Sequence, residues 1–150
     1  MTRVVATGTF DIIHPGHLVY LTGSKALGDE LVVIVAREHN VRHKPQPIIP
    51  EAQRLAMVLG LKPVDHAVLG DLHDKFRPIR ELKPDIITIG FNQRFTPETL
   101  EAELKAEGLD IPVIRIGQFM DCELCSSSQI IDRAIERRGY TLSGSPPSGE

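Results

Sequence analysis

The sequence predicts a doubly wound α/β domain: a five-stranded parallel sheet with helices on both faces. Three observations carry this expectation. Five short β-branched runs recur along the chain, most of them continuously apolar, as strands buried on both faces are. Segments with helical spacing lie between them. Alternation of the two implies crossover connections and hence a parallel sheet. A length of 150 residues suits one such domain and is short for two.

In chain order, Arg3–Ala6 reads as the first strand, and Leu31–Ala36 as the second and the longest apolar run. Residues 38–50 (EHNVRHKPQPIIP) hold three prolines and no helical period, so they read as a long loop over the strand ends. Ala52, Leu55, Ala56 and Leu59 follow the i, i+3, i+4, i+7 pattern of an amphipathic helix. His66–Leu69 and Ile86–Ile89 are the third and fourth strands. From Pro97 to Glu107, Leu100 and Leu104 share one side, and Glu101 is placed for an i, i+4 pair with Lys105. Val113–Ile116 is the fifth strand. The last helix carries Ile130, Ile131, Ala134 and Ile135 opposite Asp132, Arg133, Glu136 and Arg137. Residues 1–139 are expected to form the single domain. Residues 140–150, ending in TLSGSPPSGE, bury too little apolar area to offset ordering and are expected to form a disordered tail.

Composition narrows the function classes. With 41% hydrophobic residues the chain is globular, and its net charge of −3 is spread without a basic block. No nucleic-acid arm or polybasic membrane patch is therefore expected. The longest apolar run falls far short of the ~20 residues of a membrane span, and no signal-peptide core follows Met1. The expectation is a cytoplasmic protein. Two cysteines cannot make a disulfide scaffold, and Cys122 and Cys125 stand close enough to raise a redox or metal question.

The chemically specific stretch follows the first strand: Gly8-Thr9-Phe10-Asp11-Ile12-Ile13-His14-Pro15-Gly16-His17. Gly8 permits a sharp turn and close approach of a ligand. Pro15 suits the first position of a helix, and Gly16 leaves amides open at its N-terminus, where the dipole favours an anion. His14 and His17, three apart, can project to the same side. Together these make a cradle for phosphate oxygens. Taken alone, the two histidines also fit plain surface residues or a chance zinc pair, although no third ligand stands at a familiar spacing. The stretch lacks both G-x-G-x-x-G and G-x-x-x-x-G-K, which removes the dehydrogenase and phosphate-loop readings.

This decamer resembles the signature GTFDxxHxGH of the HxGH nucleotidylyltransferases, which follows the first strand of a Rossmann-like fold. Ser126-Ser127-Ser128-Gln129-Ile130 is similar to the second signature, S-T-T-x-I, with serines in place of both threonines. Within the family, the runs 27–38, 44–54 and 82–93 and the Cys122-Glu123-Leu124-Cys125 segment look most like the archaeal FAD synthases. The resemblance spans about Arg3 to Ile135. It implies transfer of AMP from ATP to FMN, giving FAD and pyrophosphate. Asn92 departs from it, standing where those relatives tend to carry an aspartate.

The resemblance also implies roles. His14 and His17 donate to triphosphate oxygens near the α–β bridge, with Lys44 as a further catalytic cation in the proline-broken loop. The Thr9 and Phe10 amides, Ser127, Ser128 and Asn92 hold the nucleotide. Asp11, Arg54 and Gln93 are candidates for the acceptor, although Asp11 also suits a structural turn and Arg54 a surface charge or a loop-ordering role. A divalent cation, Mg²⁺, is expected to ride on the substrate phosphates, with no metal ligand assigned. Relatives are often dimers, so a homodimer is the expectation. The acceptor is a phosphate monoester whose second pKa is ≈ 6, already dianionic at neutral pH, so no general base is needed. Catalysis becomes positioning plus electrostatic stabilisation. Cys122 and Cys125 read plainly as reduced thiols; a disulfide there would stiffen the approach to the serines and make activity redox-sensitive. The competing readings are a cytidylyltransferase acting on glycerol-3-phosphate or a related polyol phosphate, and a non-catalytic nucleotide- or flavin-binding module.

Overall fold

The computed structural model describes residues 1–41, 45–90, 93, 95–117 and 122–139. Strands β1 (Arg3–Gly8), β2 (Glu30–Val35), β3 (His66–Leu69), β4 (Ile86–Gly90) and β5 (Val113–Ile116) form one sheet in the order β3-β2-β1-β4-β5. All neighbouring pairs are parallel, with Val5 opposite Val32 and Ile87. Helices α1 (Pro15–Lys25), α2 (Glu51–Leu59), α3 (Arg77–Leu82), α4 (Pro97–Ala106) and α5 (Ser127–Arg138) alternate with the strands. The five strands lie where the β-branched runs place them. Residues 140–150, the expected tail, lie outside the described residues.

Burial on both faces explains the unbroken apolar runs. Val4, Ala6, Val33 and Val35 pack beneath Leu21 of α1 and Val58 of α2. Val5, Val32, Ile34, Ile87 and Ile89 pack on the opposite face against Ile79 of α3 and Leu104 of α4. Among the described residues, no helix is long and apolar enough to cross a membrane.

Several local expectations differ from the structure: on α5 no stripe residue is buried and Ile135 is 59% exposed, and Glu101 accepts from the Val113 N–H. The segment 77–82 is a helix that periodicity did not reveal, because six residues carry too little period to read. Within the stretch expected as loop, Glu38–Asn40 forms a 3-10 turn. On α2 the buried residues are Arg54 and Val58, whereas Ala52, Ala56 and Leu59 of the expected stripe are exposed and Leu55 is partly buried. The helix is rotated so that a guanidinium reaches the carbonyls at the strand ends.

A buried polar network fixes α1 to the sheet. The Tyr20 hydroxyl accepts from the Thr7 N–H at 3.1 Å and lies 3.0 and 2.9 Å from the Thr7 and Thr88 carbonyls. Burial pushes its pKa up to about 12, so it stays a phenol. Ser24 Oγ bonds the Tyr20 carbonyl and Thr88 Oγ1 one turn further on. Tyr20→Phe removes the acceptor from the Thr7 N–H, and the expected loss is about 1–3 kcal/mol of unfolding free energy, read from urea denaturation.

Candidate active site

Strand order reverses between β1 and β4, and ligands in such sheets bind at the carboxyl ends of the strands beside that point. The turn from Thr9 to His14 lies there. Its shape starts at Phe10, whose φ of 54° is left-handed, a conformation aromatic residues rarely hold. The Phe10 ring is 3% exposed and folds back over Gly8, where an added Cβ would stand 2.7 Å from the ring. Only glycine fits at that position. The same ring faces His17 at 5.3 Å and stacks near Tyr20 at 6.4 Å between centroids.

His14 is the N-cap of α1. Its Nδ1 accepts from the Gly16 N–H at 3.1 Å, while His17 Nδ1 accepts from the His14 N–H at 3.2 Å. The two imidazoles thus form a reciprocal capping box. An accepting Nδ1 in a neutral ring leaves the proton on Nε2, so each ring presents one N–H donor away from the backbone. The rings lie side by side, 3.8 Å between centroids. Burial, then repulsion from His14, pushes His17 down to about 3; burial also lowers His14. Both rings are neutral donors at pH 7. Gly16 is required for this packing, since a Cβ there would meet the His14 ring at 2.8 Å and the Cys125 carbonyl at 3.2 Å.

The second signature converges on the same place. Ser126 caps α5 by accepting from the Gln129 N–H at 3.1 Å, and Gln129 Oε1 accepts from the Cys125 N–H at 2.9 Å. Ser127 Oγ lies 3.4 Å from the Ile12 carbonyl in the β1–α1 turn, and Ser128 is exposed beside it. The heads of α1 and α5 therefore stand together. Cys122 and Cys125, read plainly from the sequence as reduced thiols, are instead joined as a disulfide, their Cα atoms 5.5 Å apart and within reach of a bridge.

The remaining expected residues divide. Asp11 accepts from the Ile48 and Ile49 N–H groups at 3.0 and 2.8 Å, and so pins the loop before α2 to the turn. Arg54 is wholly buried, donating to the carbonyls of Ile49, Thr9 and Ala36. Gln93 closes the turn after β4 by accepting from the Gly90 N–H. Lys44 and Asn92 lie outside the described residues. Arg115 of β5 joins the site from outside the sequence motifs: it donates to the Gly90 carbonyl at 2.7 Å and to the Phe95 carbonyl, framing the same edge. A lone arginine in a four-residue strand gives no signal of such a role.

Further along this edge, a cavity of about 230 Å³ opens between the end of β3 and α3, lined by apolar Val68, Leu69, Pro78 and Leu82 and by charged Arg37, Asp71, Arg77 and Glu81. Among the described residues no three His, Cys, Asp or Glu side chains stand together as a metal cage. The side chains do not by themselves fit a resident cation.

Proteins of similar sequence and fold are known. The family model described as cytidylyltransferase-like matches residues 5–133. The FAD synthase of Methanosphaerula palustris is 63% identical over 142 residues, covering 95% of this chain and 93% of the relative. The FAD synthase of Archaeoglobus profundus is 62% identical over 136 residues, 91% of this chain and 88% of the relative. Among solved structures, one titled a lipopolysaccharide core biosynthesis protein, from Thermoplasma volcanium, is 45% identical with a TM-score of 0.76, covering 80% of this chain and 99% of that one.

The lowered His17 pKa has a consequence for acid stability. The unfolded chain takes up this proton near pH 6.5 and the folded chain only near 3, so His17 favours folding above 6.5 and that contribution drains away as pH falls towards 3. Imidazole NMR is expected to show His17 neutral at pH 5 with Nδ1 unprotonated. The urea midpoint is expected to fall less steeply between pH 6.5 and 4 in His17→Gln than in the parent.

Proposed function

The chain belongs to the cytidylyltransferase-like family, and from its likeness to archaeal FAD synthases over nine-tenths of its length we propose that it is an FMN adenylyltransferase. It transfers AMP from ATP to FMN, forming FAD and releasing pyrophosphate. The observation that carries this reading is the pair of neutral imidazoles whose Nδ1 atoms are committed to backbone N–H groups, leaving two Nε2–H donors side by side at the head of α1.

The reaction is direct displacement. A phosphate oxygen of FMN attacks the α-phosphorus of ATP, a P–O bond forms, and the bond to the β-phosphate oxygen breaks with its electron pair leaving on pyrophosphate. No group has to create the nucleophile, because a phosphate monoester is mostly dianionic at neutral pH. The demand is for donors where negative charge grows. His14 and His17 supply Nε2–H there, and helix heads supply dipole and amides. The imidazoles donate without first carrying charge, and an arriving triphosphate raises their proton affinity as the charge develops.

We assign the Phe10 amide and the Ser127 and Ser128 hydroxyls to the nucleotide phosphates, Lys44 to the phosphates between the two substrates, and Asn92 and Gln93 to the edge that receives the base. A divalent cation such as Mg²⁺, carried in on the triphosphate, would neutralise part of its charge. The Cys125 carbonyl lies against Gly16, so the Cys122–Cys125 bridge bears on the head of α1, and sensitivity to reduction belongs to the same proposal.

FMN is placed with its phosphate at the turn and its ring system in the cavity at the end of β3. Strands stand about 4.8 Å apart, so β3 ends about 10 Å from β1, a gap the ribityl chain can bridge. Val68, Leu69, Pro78 and Leu82 offer apolar contact to the fused rings, and the charged Arg37, Asp71, Arg77 and Glu81 offer partners for their polar edge.

Purified protein given Mg²⁺ with FMN and ATP is expected to form FAD, and preference for glycerol-3-phosphate with CTP would overturn the substrate assignment. His17→Ala is expected to lower kcat by about 100-fold with the fold retained. Gly70 lines the cavity, and a Cβ there meets only Ile34 Cγ2 and the Val35 carbonyl, both at 3.7 Å, so Gly70→Leu adds bulk beside the cavity at a position with room for a Cβ. It is expected to raise the FMN KM about tenfold and leave the ATP KM unchanged; equal effects on both would remove the flavin from this cavity.

A further inference from the structure

Arg54 is a charge in an unusual place. Its side chain is completely buried, and no carboxylate among the described residues forms an ion pair with it. Its partners are backbone carbonyls: Ile49 at 2.8 Å from Nε, and Thr9 at 2.8 Å and Ala36 at 2.7 Å from Nη1. Nη2 has no partner. Desolvating a cation without a counter-ion is costly, and the three carbonyl contacts, which any neutral donor could also make, do not require a full charge. A residue kept under those conditions needs a role that its charge and its reach perform.

The role follows from the geometry of one peptide unit. The chain has no cis peptide bond among the described residues, so the C=O of Thr9 and the N–H of Phe10 lie in one plane and point in opposite directions. Arg54 holds the Thr9 carbonyl inward, beneath the turn. The Phe10 N–H therefore points away from Arg54, and it has no hydrogen-bond partner among the described residues. Phe10 also carries the left-handed φ of 54°, which must be held against its own preference. The same guanidinium grips the Ile49 carbonyl while Asp11 grips the Ile49 N–H, so the loop before α2 is fastened to the turn from both sides.

We propose that Arg54 is a positioning residue for the triphosphate: it sets the Thr9–Phe10 peptide so that the Phe10 N–H faces the phosphates, with an uncompensated positive charge behind it. This rests on the reading of the turn as the nucleotide site. The oriented amide and the buried charge act together, since an anion in front of the turn gains the donor directly and the guanidinium's field through the low-dielectric interior. Arg54 touches no substrate; it acts through the peptide it holds.

The test follows the Phe10 amide of the ¹⁵N-labelled full chain during titration with ATP and with inorganic tripolyphosphate, beside steady-state kinetics of Arg54→Met and Arg54→Lys. The Phe10 proton is expected to move downfield and saturate with either ligand. In Arg54→Met the shift shrinks and the ATP KM rises about tenfold or more, with a smaller change in the FMN KM; Arg54→Lys recovers part of the loss. A parent Phe10 amide that ignores saturating ATP overturns the proposal, and this readout requires no variant to fold. So does a folded Arg54→Met with parental ATP KM and kcat. A chain that makes FAD with a silent Phe10 amide would leave the proposed function standing and remove this role. A chain whose Phe10 amide answers ATP but which makes no FAD would do the reverse.

Discussion

Two backbone N–H groups at the head of α1 take imidazole nitrogens as acceptors, and the site follows from that choice. Helices are usually capped by a short hydroxyl, amide or carboxylate. Here His14 caps Gly16 and His17 closes back on His14. The caps spend the Nδ1 atoms, so the tautomer and the aim of both Nε2–H groups are decided by the helix start itself. No carboxylate is required behind either ring to orient it. Pro15 enters α1 without an N–H to satisfy, and Gly16 gives the His14 ring room to lie against the backbone.

Such an arrangement works only on a rigid frame, and two long polar side chains supply it from beneath. Tyr20 ties α1 to the backbones of β1 and β4, across the point where strand order reverses. Arg54 ties α2 to the ends of β1 and β2 and to the loop between β2 and α2. Both place donors or acceptors where a sheet runs out of its own ladder, and both meet backbone groups that burial would otherwise leave unpaired. The strain at Phe10 is tolerable because the residues on either side of it are held: Thr9 by Arg54, Asp11 by the Ile48 and Ile49 amides, and its own ring by the core.

Much of this was legible in the amino-acid sequence, for physical reasons that also mark where reading stops. Strands such as Leu31–Ala36 announce themselves because burial on both faces demands unbroken apolar residues. The decamer from Gly8 to His17 is readable because each constraint, a tight turn, a helix start and two imidazoles, needs a particular residue type. By contrast, α3 spans six residues, with Pro78 in its first turn, and never completes enough turns to show a period. Arg54 defeats pattern reading outright. A hydropathy stripe assigns charge to solvent, while the structure buries the guanidinium because carbonyls at the strand ends need a donor. That demand is tertiary: Thr9, Ala36 and Ile49 meet only once the sheet has formed. The same holds for Arg115, whose carbonyl partners belong to a different connection. The C-x-x-C spacing permits a bridge, and the structure joins Cys122 to Cys125.

The central claim concerns where the leaving group lies, and a crystal structure with a non-hydrolysable ATP analogue tests it most directly. We expect the oxygens flanking the α–β junction within about 3 Å of both His14 and His17 Nε2. A triphosphate bound elsewhere on the sheet edge, with those two nitrogens facing only water, would contradict it.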